Sequence, residues 1–66
     1  SFTEYLQKHR IENSLRLLSN SSMKIIEVAY SVGYDDVNFF GYLFKKYMNV
    51  TPSKYRKMSW EQRTDN

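Results

Sequence analysis

The sequence predicts an all-α fold, a small helical bundle in which one long helix precedes a homeodomain-like helix-turn-helix. Two patterns indicate this fold. Apolar residues recur at three- and four-residue spacing, and clusters of turn-forming residues interrupt them at 19–22, 33–36 and 49–52. The 66 residues include no cysteine, so the apolar side chains, 41% of the chain, must hold the bundle together without disulfides.

The first helix is predicted over residues 1–19. Ser1 and Glu4 have the spacing of a capping box, in which two side chains satisfy backbone N–H groups of the first turn. The apolar residues of this helix lie on two partly different faces, and we therefore expect it to have a neighbour at each end. The early face contains Phe2, Tyr5 and Leu6, and the later face contains Ile11, Leu15 and Leu18.

The second helix is predicted from a cap at Ser22 to about Val32. The small side chain of Ala29 allows a close helix contact, and Gly33 can adopt the left-handed conformation that ends a helix. A flanking patch of Ile26 and Tyr30 is expected to pack against the first helix. At about 100° per residue, the buried face contains Ile25, Val28, Ala29 and Val32.

The third helix is predicted over residues 37–48, with Asp36 as its N-cap and Asn49 as a left-handed C-cap. Phe39 is assigned to the core together with an inward face at i, i+3, i+4, i+7 spacing, which consists of Phe40, Leu43, Phe44 and Tyr47. The opposite, polar and basic face is flanked by Val37 and Lys46 and contains Asn38, Gly41, Tyr42 and Lys45.

A short fourth helix is predicted after Thr51, which would cap it. Pro52 suits the first turn of a helix, where its missing N–H has no partner to lose, and Tyr55 is expected to point inward. The helical pattern weakens beyond Lys57, so residues 61–66 are predicted to form a fraying tail.

The positive charge is concentrated in the second half of the chain. Residues 37–66 hold six basic and two acidic residues, whereas residues 1–36 hold four basic and five acidic residues. A basic surface of this kind attracts phosphate groups, although it is also compatible with an ordinary solvated surface.

Enzymatic and membrane functions find little support in the sequence. The single histidine, His9, has no cysteine beside it, and Asp35-Asp36 is explained as a turn followed by a helix cap. We therefore predict no catalytic residue, no metal site and no cofactor. No apolar stretch approaches the roughly 20 residues that span a bilayer, so no membrane contact is expected.

An ordered series of motifs runs through most of the chain. It comprises Phe2-x-x-Tyr5-Leu6, Arg10-Ile11, Leu17-Leu18, Ile25-x-Glu27-Val28-Ala29-x-x-Val32-Gly33-Tyr34, Phe39-Phe40, Phe44-Lys45-Lys46 and Thr51-Pro52-x-x-Tyr55-Arg56. At these spacings the series resembles the carboxy-terminal DNA-binding domain of the AraC/XylS family of bacterial transcription regulators. Three positions depart from the family pattern: Ser14 replaces alanine, Asn49 replaces glycine, and Gly41 lies inside the third helix.

The resemblance implies a partial DNA-binding domain over residues 1–66. Residues 1–19 would be the family's linker helix, 22–48 its second helix-turn-helix, and 51–66 the C-terminal helix and tail. A first helix-turn-helix and an upstream ligand-binding domain are then expected to be missing. The implied function is sequence-specific binding of double-stranded DNA in the bacterial cytoplasm, with activation of transcription and RNA polymerase as a further partner.

The resemblance and the outward residues together give the candidate site. Asn38 is the strongest candidate for reading a base, because its amide can pair bidentately with adenine. The other base-reading candidates on the same face are Val37, Gly41 and Tyr42. The candidates for phosphate contact are Lys24, Lys45, Lys46, Lys54 and Arg56.

Two alternatives stay open at this stage. Each candidate contact residue is also compatible with a solvated helix surface. The chain as a whole is also compatible with a protein-interaction module, in which the exposed face of the first helix forms a homodimer. Arg10 is expected to have a structural role, pairing with Glu27 or with a backbone carbonyl.

Overall fold

The computed structural model describes the backbone of residues 1–64 and the side chains through residue 62. Over that range the chain forms four helices and no strand, which confirms the all-α prediction. Helix α1 spans Phe2–Asn20, α2 spans Ile25–Ser31, α3 spans Val37–Met48 and α4 spans Pro52–Thr64. The tail predicted at residues 65 and 66 lies outside the described residues.

The core lies along α1, which contacts each of the other three helices. Ser14 is buried within it, and its hydroxyl donates to the Ile11 carbonyl at 2.6 Å, so this serine occupies the position without an unpaired polar group. The buried apolar residues are Ile11, Leu18, Val28, Ala29, Tyr34, Phe40, Leu43 and Phe44.

Helix α1 has the capping box that the sequence predicts, with the Glu4 N–H donating to the Ser1 hydroxyl at 3.3 Å. Only its later apolar face is buried. Phe2 is 76% exposed and Tyr5 is 67% exposed. Their rings stack on each other at 6.5 Å, and Tyr5 stacks in turn on His9 at 6.2 Å. The early half of α1 therefore presents a row of rings to solvent.

The predicted start of the second helix is wrong. Helix α2 begins at Ile25, because the Glu27 carboxylate accepts a hydrogen bond from the Lys24 N–H at 2.9 Å and so fixes the first turn there. Ser21, which is next to the predicted cap Ser22, donates a hydrogen bond from its hydroxyl to the Leu17 carbonyl. It therefore belongs to the end of α1 and not to the start of α2.

The predicted packing of the flanking patch on α2 is also wrong. Ile26 and Tyr30 are both exposed, although we expected them to contact α1. With seven residues, α2 has only two turns, and its contact with the core is a narrow face centred on Val28 and Ala29.

Helix α3 has both predicted caps. The Asp36 carboxylate accepts hydrogen bonds from the N–H groups of Asn38 and Phe39, at 2.9 and 3.2 Å. Asn49 has φ 67°, the left-handed conformation expected at the C-terminal end. The Tyr47 hydroxyl donates to the Gln7 side chain at 3.1 Å, which ties the end of α3 to α1.

Helix α4 begins as predicted but is longer than predicted. The Thr51 hydroxyl accepts from the Lys54 N–H at 3.2 Å, and the ring of Tyr55 packs edge-on against Phe44 at 5.8 Å. The fraying predicted over residues 61–64 is wrong, since α4 extends to Thr64. The Trp60 indole N–H donates to the Ser19 carbonyl at 3.0 Å, a long-range contact that the helical periodicity does not reveal.

The two glycines have opposite structural roles. Gly33, in the turn after α2, has φ 107°, and a Cβ there would lie 3.2 Å from the Cζ and Nε atoms of Arg10. Gly41, within α3, has an ordinary helical backbone, and a Cβ there would meet no atom within 4 Å. The fold therefore requires the first glycine and not the second.

The Asp36→Ala variant is expected to be less stable by about 0.5–2 kcal/mol, because two N–H groups of α3 lose their acceptor. Urea unfolding followed by circular dichroism measures this loss. Asp35→Ala is the matched control, since Asp35 is exposed and caps nothing. Equal losses in the two variants would contradict the capping role of Asp36.

Substitution of the glycines by alanine is expected to change stability in opposite directions. Gly33→Ala should destabilise the chain by at least about 1–2 kcal/mol, because alanine is strained at positive φ and its Cβ crowds Arg10. Gly41→Ala should stabilise the chain by up to about 1 kcal/mol, the helix propensity difference between the residues. The same unfolding measurement tests both, and a destabilised Gly41→Ala variant would contradict the open space seen at that position.

Candidate nucleic-acid interface

The turn between α2 and α3 sets how α3 is presented. The Gly33 N–H donates to the Tyr30 carbonyl at 3.1 Å and the Tyr34 N–H donates to the Ala29 carbonyl at 2.9 Å, which closes α2 tightly. Tyr34 then enters the core, 8% exposed. The chain therefore reverses over a few residues, and α3 follows with one side on the core and the other toward solvent.

Arg10 of α1 holds this turn from outside the helix-turn-helix. Its guanidinium lies 5.2 Å from the centre of the Tyr34 ring, a cation–π contact, and rests against Gly33. Neither partner considered for Arg10 is seen among the described residues, since the Glu27 carboxylate caps α2 and no backbone carbonyl accepts from the guanidinium. Arg10 therefore has a structural role, which it performs through a cation–π contact with Tyr34 and not through an ion pair.

The outward surface of α3 carries most of the predicted base-reading residues. We call this surface the reading face and define it by Asn38, Gly41, Tyr42, Lys45 and Lys46. Asn38 and both lysines are exposed, and Tyr42 is 64% exposed. Because Gly41 has no side chain, the residues around it leave a shallow depression in the middle of the face.

Val37 lies at the border of the reading face. It is half-buried and packs against the core. The structure therefore brings Asn38, Gly41 and Tyr42 together on one surface. Val37 lies at the border of that surface and is only partly exposed.

Phe39 is a surface residue that the sequence analysis missed. Its assignment to the core is wrong, since it is 42% exposed. Its ring stacks on that of Tyr42, with centroids 6.3 Å apart and planes at 21°. The helical spacing places Phe39 on the flank of the inward face, where an aromatic residue is compatible with a buried or an exposed environment, so no signal in the sequence decides between them.

Four of the five predicted phosphate contacts are lysines that lie exposed at the surface. Lys24 is exposed at the start of α2, Lys45 and Lys46 lie on the reading face, and Lys54 is exposed in the first turn of α4. The Lys46 ammonium also lies 5.6 Å from the centre of the Tyr47 ring. A cation on a flexible stem in such positions suits phosphate as a ligand.

Arg56 lies in a different environment. It is half-buried, its Nε donates to the Leu18 carbonyl at 2.9 Å, and its guanidinium stacks over the Trp60 ring at 5.3 Å. Helix α1 has no basic residue in its last turn, so Arg56 supplies the positive charge at its C-terminal end. The sequence suggested a phosphate contact for Arg56, whereas the structure shows it bound to the chain itself.

The part of the chain that the structure describes contains neither a candidate metal site nor a candidate membrane-spanning helix. Within it, no three His, Cys, Asp or Glu residues are grouped so that they could hold a metal ion. No helix in that part combines the length and apolar character needed to cross a bilayer.

Comparison with known proteins agrees with this geometry. A family model described as a helix-turn-helix domain matches residues 1–58. The uncharacterized HTH-type transcriptional regulator YijO of Escherichia coli is 39% identical over 64 residues, 97% of this chain and 23% of that protein. The HTH-type transcriptional activator RhaR of Mannheimia succiniciproducens is 38% identical over 56 residues, 85% of this chain and 20% of that protein.

A solved structure shows the same fold. The C-terminal domain of AraT, a response regulator from Geobacillus stearothermophilus, superposes with a TM-score of 0.85 at 41% identity, covering 88% of this chain and 48% of that one. The chain spans about a fifth of the length of the curated relatives that it matches. The motif series, the arrangement of α2 and α3 and these similarities agree, and the chain belongs to the helix-turn-helix family as a DNA-binding domain of AraC-type transcription regulators.

Proposed function

We propose that this chain binds double-stranded DNA in a sequence-specific manner, with α3 in the major groove, as part of a larger bacterial transcription activator. The observation that supports the proposal is the reading face of α3, the second helix of the helix-turn-helix. On this one surface lie the exposed amide of Asn38, the backbone of Gly41 and the ammonium groups of Lys45 and Lys46. A recognition helix lies in the major groove and contacts base edges mainly with its N-terminal residues. Asn38 is the second residue of α3.

Asn38 is proposed to read adenine. Its exposed amide has one acceptor and one donor group that match N6 and N7 of adenine in the major groove. The Asp36 cap holds the first turn of α3, so the Asn38 backbone is fixed before DNA is bound. Tyr42 lies one turn further along and offers a hydroxyl to a base or a phosphate.

Gly41 and Val37 are proposed to support this contact in different ways. Without a side chain at Gly41, the backbone of α3 can approach the bases closely. The partly exposed Val37 is apolar and suits a thymine methyl group.

The proposed phosphate contacts are Lys24, Lys45, Lys46 and Lys54. They would fix the position of the domain on the duplex without reading its sequence. Arg56 is left out of this set, because its guanidinium is engaged with α1 and Trp60.

The other proposed contacts are those of the larger protein of which this chain would be a part. We expect a first helix-turn-helix, an upstream ligand-binding domain and contact with RNA polymerase, all in the bacterial cytoplasm. A second candidate function, homodimerisation through α1, is favoured by the exposed rings of Phe2 and Tyr5.

Salt dependence separates the two functions. With four phosphate contacts, log K for a duplex should fall with log salt at a slope of about −3.6. Fluorescence anisotropy at several salt concentrations measures this slope. Association driven by the apolar face of α1 should respond only weakly to salt, and the absence of any duplex binding at low salt would contradict DNA binding.

Asn38→Ala and Lys45→Ala are expected to weaken binding in different ways. Asn38→Ala should cost about 1–3 kcal/mol on the preferred sequence, with the loss confined to one base position. Lys45→Ala should weaken binding to all sequences alike and reduce the salt slope by about 1. Anisotropy with a preferred duplex, selected from a random pool, and with single-base variants of it tests both. An equal loss on preferred and random duplexes for Asn38→Ala would remove Asn38 as the base-reading residue.

Arg56→Lys is expected to reduce stability and leave the salt slope unchanged. Lysine retains the positive charge but loses the Nε donor to Leu18 and the planar stack on Trp60, at a cost of about 1.5–3 kcal/mol. Lys54→Ala is the matched control on α4 and should show the reverse, a smaller slope at unchanged stability. An Arg56→Lys variant with unchanged stability would contradict the structural role of Arg56.

A further inference from the structure

Phe39 has an apolar ring, yet this ring is not buried in the core. It is the third residue of α3, next to Asn38, and 42% of its surface is exposed at the edge of the reading face. Its side chain has no group that can hydrogen-bond to a phosphate. An exposed aromatic ring at the N-terminal end of a recognition helix needs an apolar partner if it is to contribute to binding.

The ring of Phe39 is held from two sides. It stacks on Tyr42 at 6.3 Å and meets the Tyr34 ring edge-on, at 5.9 Å with an interplanar angle of 72°. Tyr34 is itself buried beneath the Arg10 guanidinium. The contacts therefore run without a break from α1, through the turn, to the reading face.

This support distinguishes Phe39 from the exposed ring of Tyr30. Tyr30 on α2 is also exposed, but it stacks on no other ring in the part of the chain that the structure describes. A side chain that is already fixed loses little conformational entropy when it contacts a partner, so its contact area is converted efficiently into affinity.

The major groove offers one kind of apolar group, the 5-methyl group of thymine, and phenylalanine is among the side chains that contact it. We propose that Phe39 is a further specificity-determining residue, which contacts a thymine methyl group beside the base read by Asn38. This inference rests on the proposed function, because it requires α3 to lie in the major groove. It adds a thymine to the preferred sequence that the polar residues of the reading face do not select.

The test replaces thymine by uracil, which removes only the methyl group. A preferred duplex is first selected with the wild-type chain, and each thymine is then replaced singly and affinity is measured by anisotropy. For the wild type, uracil at one position is expected to lower the affinity about fourfold, the equivalent of one buried methyl group. In Phe39→Ala that effect should disappear, while discrimination at the adenine read by Asn38 is retained.

Two further kinds of variant make the outcome decisive. Phe39→Gln removes the apolar contact at similar side-chain length and should lose the same uracil effect, so the test does not depend on Phe39→Ala folding. Tyr30→Ala is the matched control, and it should keep the uracil effect at that thymine. Circular dichroism checks that each variant is folded.

The possible failures are distinguishable. If the wild type prefers its selected sequence but tolerates uracil at every thymine, the Phe39 contact is overturned and the proposed function stands. If folded Phe39 variants keep the full uracil effect, the contact belongs to another residue and the inference is again overturned. If the wild type shows no sequence preference, both the inference and the proposed base reading fail.

Discussion

The guanidinium of Arg10 fills the space where a side chain on Gly33 would lie, and the presentation of α3 depends on this contact. A Cβ at Gly33 would come within 3.2 Å of Arg10, while the same guanidinium covers the ring of Tyr34. One cation from α1 therefore holds both residues of the turn. Because Tyr34 also contacts Phe39 and Phe40, the position of this turn determines which side of α3 faces solvent.

The C-terminal end of α1 is also held by side chains. The last carbonyls of a helix lack partners within the helix. Here the Leu18 carbonyl accepts from Arg56, the Ser19 carbonyl accepts from Trp60, and the Leu17 carbonyl accepts from Ser21. Two side chains of α4 thus donate hydrogen bonds to carbonyls at the C-terminal end of α1, and the same bonds hold α4 against α1. Arg10 thus links the middle of α1 to the turn before α3, and Arg56 links α4 to the C-terminal end of α1.

The features that the sequence predicted correctly are those set by neighbours in the chain. Asp36 and Thr51 were identified as N-caps because an N-cap side chain bonds to backbone groups two or three residues away. Asn49 was identified as a C-cap because asparagine tolerates the left-handed conformation. The buried face of α3 followed from its 3.6-residue period. The same reasoning failed where two local caps competed, since Ser22 and the Glu27 box both suit the start of α2 and only the second forms.

What the sequence did not reveal are contacts between residues far apart in the chain. Arg56 was assigned to phosphate from its charge, and no local spacing indicates its hydrogen bond to a carbonyl 38 residues earlier. The exposure of Phe39 and of Ile26 depends on the packing between helices, which the periodicity of a single helix does not encode. Of the candidate site, the polar residues on the outward face were predictable, and the aromatic contacts that fix it were not.

The position of Trp60 has a practical consequence, because the chain contains one tryptophan. Its indole lies at the seam between α4 and α1, with its N–H on Ser19 and a guanidinium over its ring. The tryptophan fluorescence of the domain therefore arises from this seam and not from α3. Emission wavelength and quenching would report the docking of the last helix as a spectroscopic signal of its own, free of any added label.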